Sequence, residues 1–287
     1  MRLRAANARV LTAPSIFRRR SVHSMESASL FDVEGKAAVV TGGSRGIGYM
    51  IAEVLVRNGV RTYITARKAA QADSAAVSLS ELGGAPCKSI PADLSTEEGI
   101  ASFAAAIAQN EANGLDILIN NAGAAWGAPL DDFPAAGFDK VLSVNVRAPF
   151  LLTQALLPLL RKAATANDPA RVVNIGSIDG ICVPEGHPLS FNYSYSASKA
   201  GLHMLSRHLA AHLAGDHVNV NTIAPGPFVS SMTKAADMTD WAQRTPRGRI
   251  GTPEDIGGAT LFLCSRASAW LTGITLPVDG GISTKAA

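Results

Sequence analysis

Residues Lys36 to Met50 read KAAVVTGGSRGIGYM. Ala37, Ala38, Val39 and Val40 are a short apolar run, as expected of a strand buried on both faces. The segment Thr41-Gly42-Gly43-Ser44-Arg45-Gly46-Ile47-Gly48 then turns into a helix that continues through Ile51, Leu55 and Val56. A glycine-rich turn at such a junction reverses the chain tightly, because glycine tolerates positive φ. It also lets backbone approach an anion with no Cβ in the way, and it aims the first N–H groups of a helix at that anion. A dinucleotide pyrophosphate is the usual guest. Glycine spacing alone is weak; strand before and helix after give it weight. The spacing here is T-G-x-x-x-G-x-G.

Outward from this turn the chain alternates strand and helix, the pattern of a parallel sheet covered on both faces. Arg61–Thr65 reads as the second strand and runs into Ala66-Arg67-Lys68. An NAD site would place an acid near here for the ribose hydroxyls. None is present, and Arg45, Arg67 and Lys68 offer positive charge for a 2′-phosphate, so NADP is the expected cofactor. Cys87–Ile90 is a third strand, after which Asp93 is a candidate cap for a helix over 96–111. Residues 115–119 form a fourth strand that enters Asn120-Asn121-Ala122-Gly123. A long helix over 135–162 carries Asn145 among apolar neighbours, with Pro158 expected to bend its last turns.

Arg171–Ile175 is a fifth strand with Gly176-Ser177 at its carboxyl end, where open α/β sheets place ligands. A helix over 190–214 shows Leu202, Leu205, Leu209 and Leu213 on one stripe and Gly215 as its stop. Val218–Ile223 leads to Ala224-Pro225-Gly226-Pro227-Phe228, and 230–244 reads as a flap over the site. Thr252-Pro253 opens the last helix, and 271–278 is a final strand. The expected organisation is an extension over 1–30 and a single domain over 31–287.

Composition narrows the function classes. The chain has 287 residues, 47% of them hydrophobic and 17% charged, with three widely separated cysteines. That spacing argues for a reduced compartment and no metal ligation. No apolar run reaches the ~18–20 residues of a membrane span. The formal charge is +3, but Arg2, Arg4, Arg9, Arg18, Arg19 and Arg20 supply six positive charges; without them the remainder stands at −3. A nucleic-acid partner is therefore not expected. The first 24 residues are rich in arginine and free of acids, as in a mitochondrial transit peptide; translation from Met25 would leave a cytoplasmic protein.

Tyr195 and Lys199 carry the chemistry. They are four residues apart on a helix and so share a face. A free tyrosine ionises near pH ~10, and an adjacent cation is expected to lower that value and make a tunable proton donor and acceptor. Ser177, on the neighbouring strand end, is placed to hydrogen-bond the reacting oxygen. Tyr193 has Ala197, not a lysine, four residues on.

Thr41 to Gly48, the N-N-A-G of Asn120 to Gly123, Asn145, Ser177 and Tyr195 to Lys199 occur in an order that resembles the short-chain dehydrogenase/reductase family. The resemblance covers nearly all of the chain from Gly35 onward. It implies a single Rossmann-type domain with a seven-stranded parallel sheet and assembly as a homodimer or homotetramer. It also implies residue roles. Asp93 and Leu94 would lie along the adenine, Asn121, Ala122 and Gly123 beside the cofactor, and Pro225, Gly226 and Phe228 at the nicotinamide. Lys199 would bind the nicotinamide ribose, and Asn145 the water of a proton relay. Within the family, segments 205–209, 217–221 and 224–233 look most like 3-oxoacyl-thioester reductases associated with rhamnolipid pathways. Ser177 and Tyr195 are several residues further apart than the family usually shows, which enlarges a loop over 178–191. The expected activity is NADPH-dependent reduction of a ketone, with a 3-oxoacyl thioester as the favoured substrate. The rivals are the same chemistry on a polyketide intermediate, steroid or small alcohol, and a non-catalytic NADP-binding regulator.

Overall fold

A computed structural model describes residues 27–183, 192–229 and 238–284. The arginine-rich segment, most of the enlarged loop and the first part of the flap lie outside the described residues. Among those described, a helix α1 (Ser27–Phe31) lies against the turn Arg266–Ser268. Then follow β1 (Ala37–Thr41), α2 (Gly46–Arg57), β2 (Arg61–Thr65), α3 (Ala69–Ser80), β3 (Cys87–Ser89) and α4 (Glu97–Asn110). The second half adds β4 (Ile117–Asn120), α5 (Ala135–Leu142), α6 (Ala148–Ala163), β5 (Ala170–Ile175), α7 (Tyr193–Leu213), β6 (Val218–Pro225), α8 (Met238–Arg244), α9 (Pro253–Cys264) and β7 (Thr275–Val278).

The seven strands are parallel and ordered β3-β2-β1-β4-β5-β6-β7. Strand alternation explains why β1 reads as continuously apolar. Ala38 and Val40 pack with Ile51 and Leu55 of α2, Leu79 of α3 and Ile256 of α9. Ala37 and Val39 face the other way, into a second core with Phe103 of α4, Leu152 and Leu156 of α6 and Leu213 of α7. Both faces are covered, as a parallel sheet requires. The strand order reverses between β1 and β4, and the crevice beyond their carboxyl ends is where such sheets bind ligands.

Several local expectations are corrected. β4 begins at Ile117 because Asp116 turns its carboxylate onto the Ala37 N–H at 2.8 Å. Helix α4 is capped by Thr96, whose Oγ1 accepts from Gly99 N at 3.0 Å. Asp93 is occupied elsewhere, its Oδ1 accepting from the Ser95 N–H and hydroxyl. The long helix is broken upstream of Pro158, by a π turn over Ser143–Arg147, and α6 continues through Pro158 to Ala163. With the π turn counted in, residues Ala135–Ala163 are long and apolar enough by composition to cross a membrane. In the fold, Leu152, Leu156 and Leu160 of this helix lie in the core.

In α7, Leu202 and Leu213 are buried as expected. Leu205 and Leu209 are only half-buried, and Ser206 and Ala210 are buried against the sheet instead. Small side chains are used there because the helix rides close on β5: Asn174 Nδ2 donates to Ser206 Oγ at 2.8 Å. The helix stops at Leu213, and the left-handed residue that follows is His217 (φ 57°), not Gly215. At α9, the Thr252 N–H donates to Asp255 Oδ2 at 2.8 Å, so the first turn is closed as expected.

Candidate active site

The glycine turn is built by exclusion. Gly42 and Gly46 have φ of +65° and +56°. A Cβ at Gly48 would stand 2.3 Å from Asn121 Nδ2 and 2.4 Å from the Gly42 carbonyl oxygen. Thr41, buried at the end of β1, ties this turn to the next. Its Oγ1 accepts from the N–H groups of Asn121 and Ala122, both at 2.9 Å, and Asn121 Nδ2 donates to the Thr41 carbonyl at 2.8 Å. Asn120 points the other way, donating to Asn174 Oδ1 at 2.8 Å. The chain thus holds two adjacent loops, 41–48 and 121–123, as one rigid floor.

Above this floor is a cleft of about 1100 Å³. Gly42, Ser44, Arg45, Gly46, Ile47 and Gly48 line one end, together with Arg67, Lys68, Asp93 and Leu94. Asn121, Ala122, Gly123, Pro225, Gly226 and Phe228 line its middle, and Ser177, Tyr195 and Lys199 its far wall. Thr41, Gly43 and Asn145 lie behind the wall and shape it. The donors fit a dinucleotide: a cradle that any Cβ would fill, open backbone at a helix start, and basic side chains at the end of β2. Asp93 is held below the usual carboxylate range by the Ser95 hydrogen bonds, with Arg67 adding to the effect.

At the far wall Lys199 is buried, and its Nζ donates to the Ile175 carbonyl at 2.7 Å and sits 5.5 Å from the centre of the Tyr195 ring. Burial pushes this ammonium down to about 8, with Asp179 acting against that fall. Tyr195 departs from the sequence expectation. Its ionisation is pushed up: burial is the larger cause, the nearby Asp179 charge the second, and a hydrogen bond from Ser177 opposes both. Loss of hydration and the neighbouring carboxylate both disfavour a phenolate, so the hydroxyl is held as a proton donor.

Asn145 also has a more definite task than expected. Both donors of its amide are committed, to the Ala124 carbonyl and to Ser198 Oγ, each at 2.9 Å, and its Oδ1 accepts from Ala124 N at 2.8 Å. The side chain pins the loop after Gly123 to α7. The π turn puts it there, a common use of such turns near functional sites. Tyr193 lies away from the cleft, 38% exposed and edge-on to Phe133 at 5.8 Å.

Two site residues were missed in the sequence. Asp179 lines the cleft two residues after Ser177, its carboxyl raised by burial to about 6. His203, one turn beyond Lys199, is buried under Gly176, where a Cβ would stand 2.1 Å from His203 Nε2. That nitrogen has no hydrogen-bond partner among the described residues, and burial lowers the imidazole to about 4, so it is neutral. The i+4 spacing from Lys199 was the available signal for His203. For Asp179 it was an acid beside a glycine, two residues after Ser177.

Comparison with known proteins agrees with this geometry. Residues 42–283 match a family profile described as enoyl-(acyl carrier protein) reductase. The rhamnolipids biosynthesis 3-oxoacyl-[acyl-carrier-protein] reductase of Pseudomonas aeruginosa is 46% identical over 256 residues, covering 88% of this chain and 97% of that protein. The chain belongs to the short-chain dehydrogenase/reductase family. Among other relatives of this family, the galactitol 2-dehydrogenase (L-tagatose-forming) of Cereibacter sphaeroides is 37% identical, covering 90% of this chain and 98% of its own. The solved Pseudomonas aeruginosa RhlG/NADP active-site complex superposes with a TM-score of 0.84 at 46% identity, over 89% of this chain and 99% of that one. As a short-chain dehydrogenase/reductase, the chain is an oxidoreductase of CH–OH and carbonyl groups.

Proposed function

We propose that this chain is an NADP-dependent carbonyl reductase whose substrate is a 3-oxoacyl thioester. The observation that carries the reading is one cleft with a basic dinucleotide end, no acid at the end of β2, and a far wall of Ser177, Tyr195 and Lys199. The likeness to a 3-oxoacyl-[acyl-carrier-protein] reductase supports the substrate class. When bound, NADPH supplies hydride. The 41–48 turn and Arg45 would hold its phosphates, with Arg67 at the 2′-position. Tyr195 gives its proton to the carbonyl oxygen, and Ser177 donates a hydrogen bond to the same oxygen. Lys199, anchored on the Ile175 carbonyl, keeps positive charge beside the oxygen that receives the proton. The ketone thereby gains a hydride at carbon and a proton at oxygen.

The test is NADPH consumption with acetoacetyl thioesters, an enoyl thioester, a polyol-derived ketose and simple ketones. Preference for the 3-oxoacyl thioester is expected. Turnover confined to ketoses or to the enoyl thioester overturns the substrate reading, and no turnover with any member favours the non-catalytic regulator.

Cofactor preference follows from the same cleft. NADPH is expected to bind at least tenfold more tightly than NADH, about 1.4 kcal/mol. In Arg67→Asp the gap should narrow or reverse, because a carboxylate repels the 2′-phosphate and accepts from ribose hydroxyls. Fluorescence titration with both nucleotides measures it, and equal affinities in the unmodified protein refute the basis.

A further inference from the structure

Asp179 belongs to the wall of the cleft but has no part in the roles assigned so far. Its position is built by its neighbours. The Asp179 N–H donates to Ser177 Oγ at 3.1 Å, so the acid and the catalytic hydroxyl are fixed to each other. That bond uses a lone pair of the serine, and its hydrogen faces the Asp179 carboxylate, Tyr195 and substrate. Gly180, the next residue, lies directly on α7: a Cβ there would stand 2.7 Å from Ala200 N and from the Lys199 carbonyl carbon. The short turn Ile178–Gly180 therefore delivers the carboxyl to the helical turn that carries Tyr195 and Lys199. A larger residue at 180 would lift it away.

Among the described residues, the ionisable groups around this carboxyl are Lys199, Tyr195 and His203 on α7 and Cys182 on its own loop; Cys182 also feels Asp279, just after β7. His203 is neutral, and burial with the two carboxylates keeps the Cys182 thiol protonated. At neutral pH Asp179 and Lys199 are thus the opposite charges that face each other and Tyr195 among the described residues. A buried ammonium without a counter-charge is costly, and a carboxylate near a phenol opposes its ionisation.

We propose that Asp179 is a positioning residue that acts through Lys199 and Tyr195: its carboxylate balances the lysine ammonium and keeps the tyrosine hydroxyl protonated, biasing the site toward giving a proton rather than taking one. The catalytic consequence rests on the carbonyl-reductase reading, whereas the electrostatic one does not. Above about pH 6 the carboxyl is ionised and the bias is present; below that it fades.

The experiment has two readouts. The first needs no substrate. Tyrosinate absorbance is followed against pH in the unmodified protein and in Asp179→Asn, each with its Tyr195→Phe counterpart subtracted to isolate Tyr195. In Asp179→Asn the Tyr195 signal is expected to begin about one pH unit lower, while Asp179→Glu stays near the unmodified curve. Should the asparagine variant fold poorly by thermal melting, Asp179→Ser provides the same comparison. The second readout is NADP-dependent oxidation of the 3-hydroxy product at pH 7 to 9, on the rising limb of its profile. Oxidation in Asp179→Asn should be about tenfold faster at each pH, as a one-unit shift requires, with no matching gain in reduction. A Tyr195 titration that does not move, or moves upward, overturns the proposal. A downward shift in a protein that turns over no ketone or alcohol upholds the proposal and overturns the reductase reading.

Discussion

Tyr195→Phe is expected to lower ketone reduction by at least ~10²-fold, the lower end for loss of a positioned acid. The substitution removes a hydroxyl and keeps the ring, so the packing around Lys199 is preserved. NADPH should still bind, because its phosphates face the 41–48 turn, remote from this ring along the cleft. Run backwards, alcohol oxidation needs the hydroxyl deprotonated, and burial has raised its ionisation above the ordinary tyrosine value. Oxidation by the unmodified enzyme should therefore climb through pH 8 to 10 without reaching a plateau. Stopped-flow reduction and a pH profile of oxidation check both statements. Near-normal turnover in Tyr195→Phe, together with loss in Tyr193→Phe, would show that the other tyrosine is the acid. The exposed, edge-packed position of Tyr193 against Phe133 argues against that outcome.

Gly48→Ala is expected to have the second-largest effect. The added methyl would meet the Asn121 amide at 2.3 Å and the Gly42 carbonyl at 2.4 Å, and neither can retreat. Asn121 is held on the Thr41 carbonyl, and Gly42 N donates to the Thr65 carbonyl at 2.8 Å. Forcing the methyl in should cost about 1–3 kcal/mol of stability, the usual range for overpacking. The turn that faces the pyrophosphate must open to admit it, so NADPH affinity should fall at least tenfold, about 1.4 kcal/mol. Gly258→Ala is the control. Its Cβ meets nothing within 4 Å inside α9, so helix propensity alone should leave it neutral or raise stability by up to ~1 kcal/mol. Thermal melts and nucleotide titrations on the pair decide it. Equal behaviour of the two variants would mean that the turn is not the tight cradle described.

The 41–48 turn was legible in the sequence because its requirements are local: a buried strand, glycines where φ is positive, and a helix start. Tyr195 and Lys199 were legible because four residues on a helix fix a shared face. The stripe of α7 was misread because its inner face is chosen by the closeness of β5. Ser206 and Ala210 fit there better than leucines, and closeness is a tertiary fact. Asp93 was taken for a cap because Asp suits that role, yet Thr96 lies at the residue where the helix starts. The tyrosine's ionisation was misjudged for a related reason. Spacing shows that a lysine is near, but only the fold shows that both groups are buried and that Asp179 stands beside them. Loss of hydration is the larger cause of the rise, and hydration is not written in four residues of sequence.

The π turn at Ser143–Arg147 can also be viewed as an angular device. One residue of α-helix is about 100° of rotation, so a single surplus residue sets the face of α5 out of phase with that of α6. The two halves of what looks like one helix then serve different clients. Leu152, Leu156 and Leu160 of α6 are aimed at the sheet, and the turn before them aims Asn145 at Ala124 and Ser198. A regular helix of the same composition would keep one of these alignments and lose the other. The cleft wall and the sheet are thus reconciled by a phase shift in the backbone.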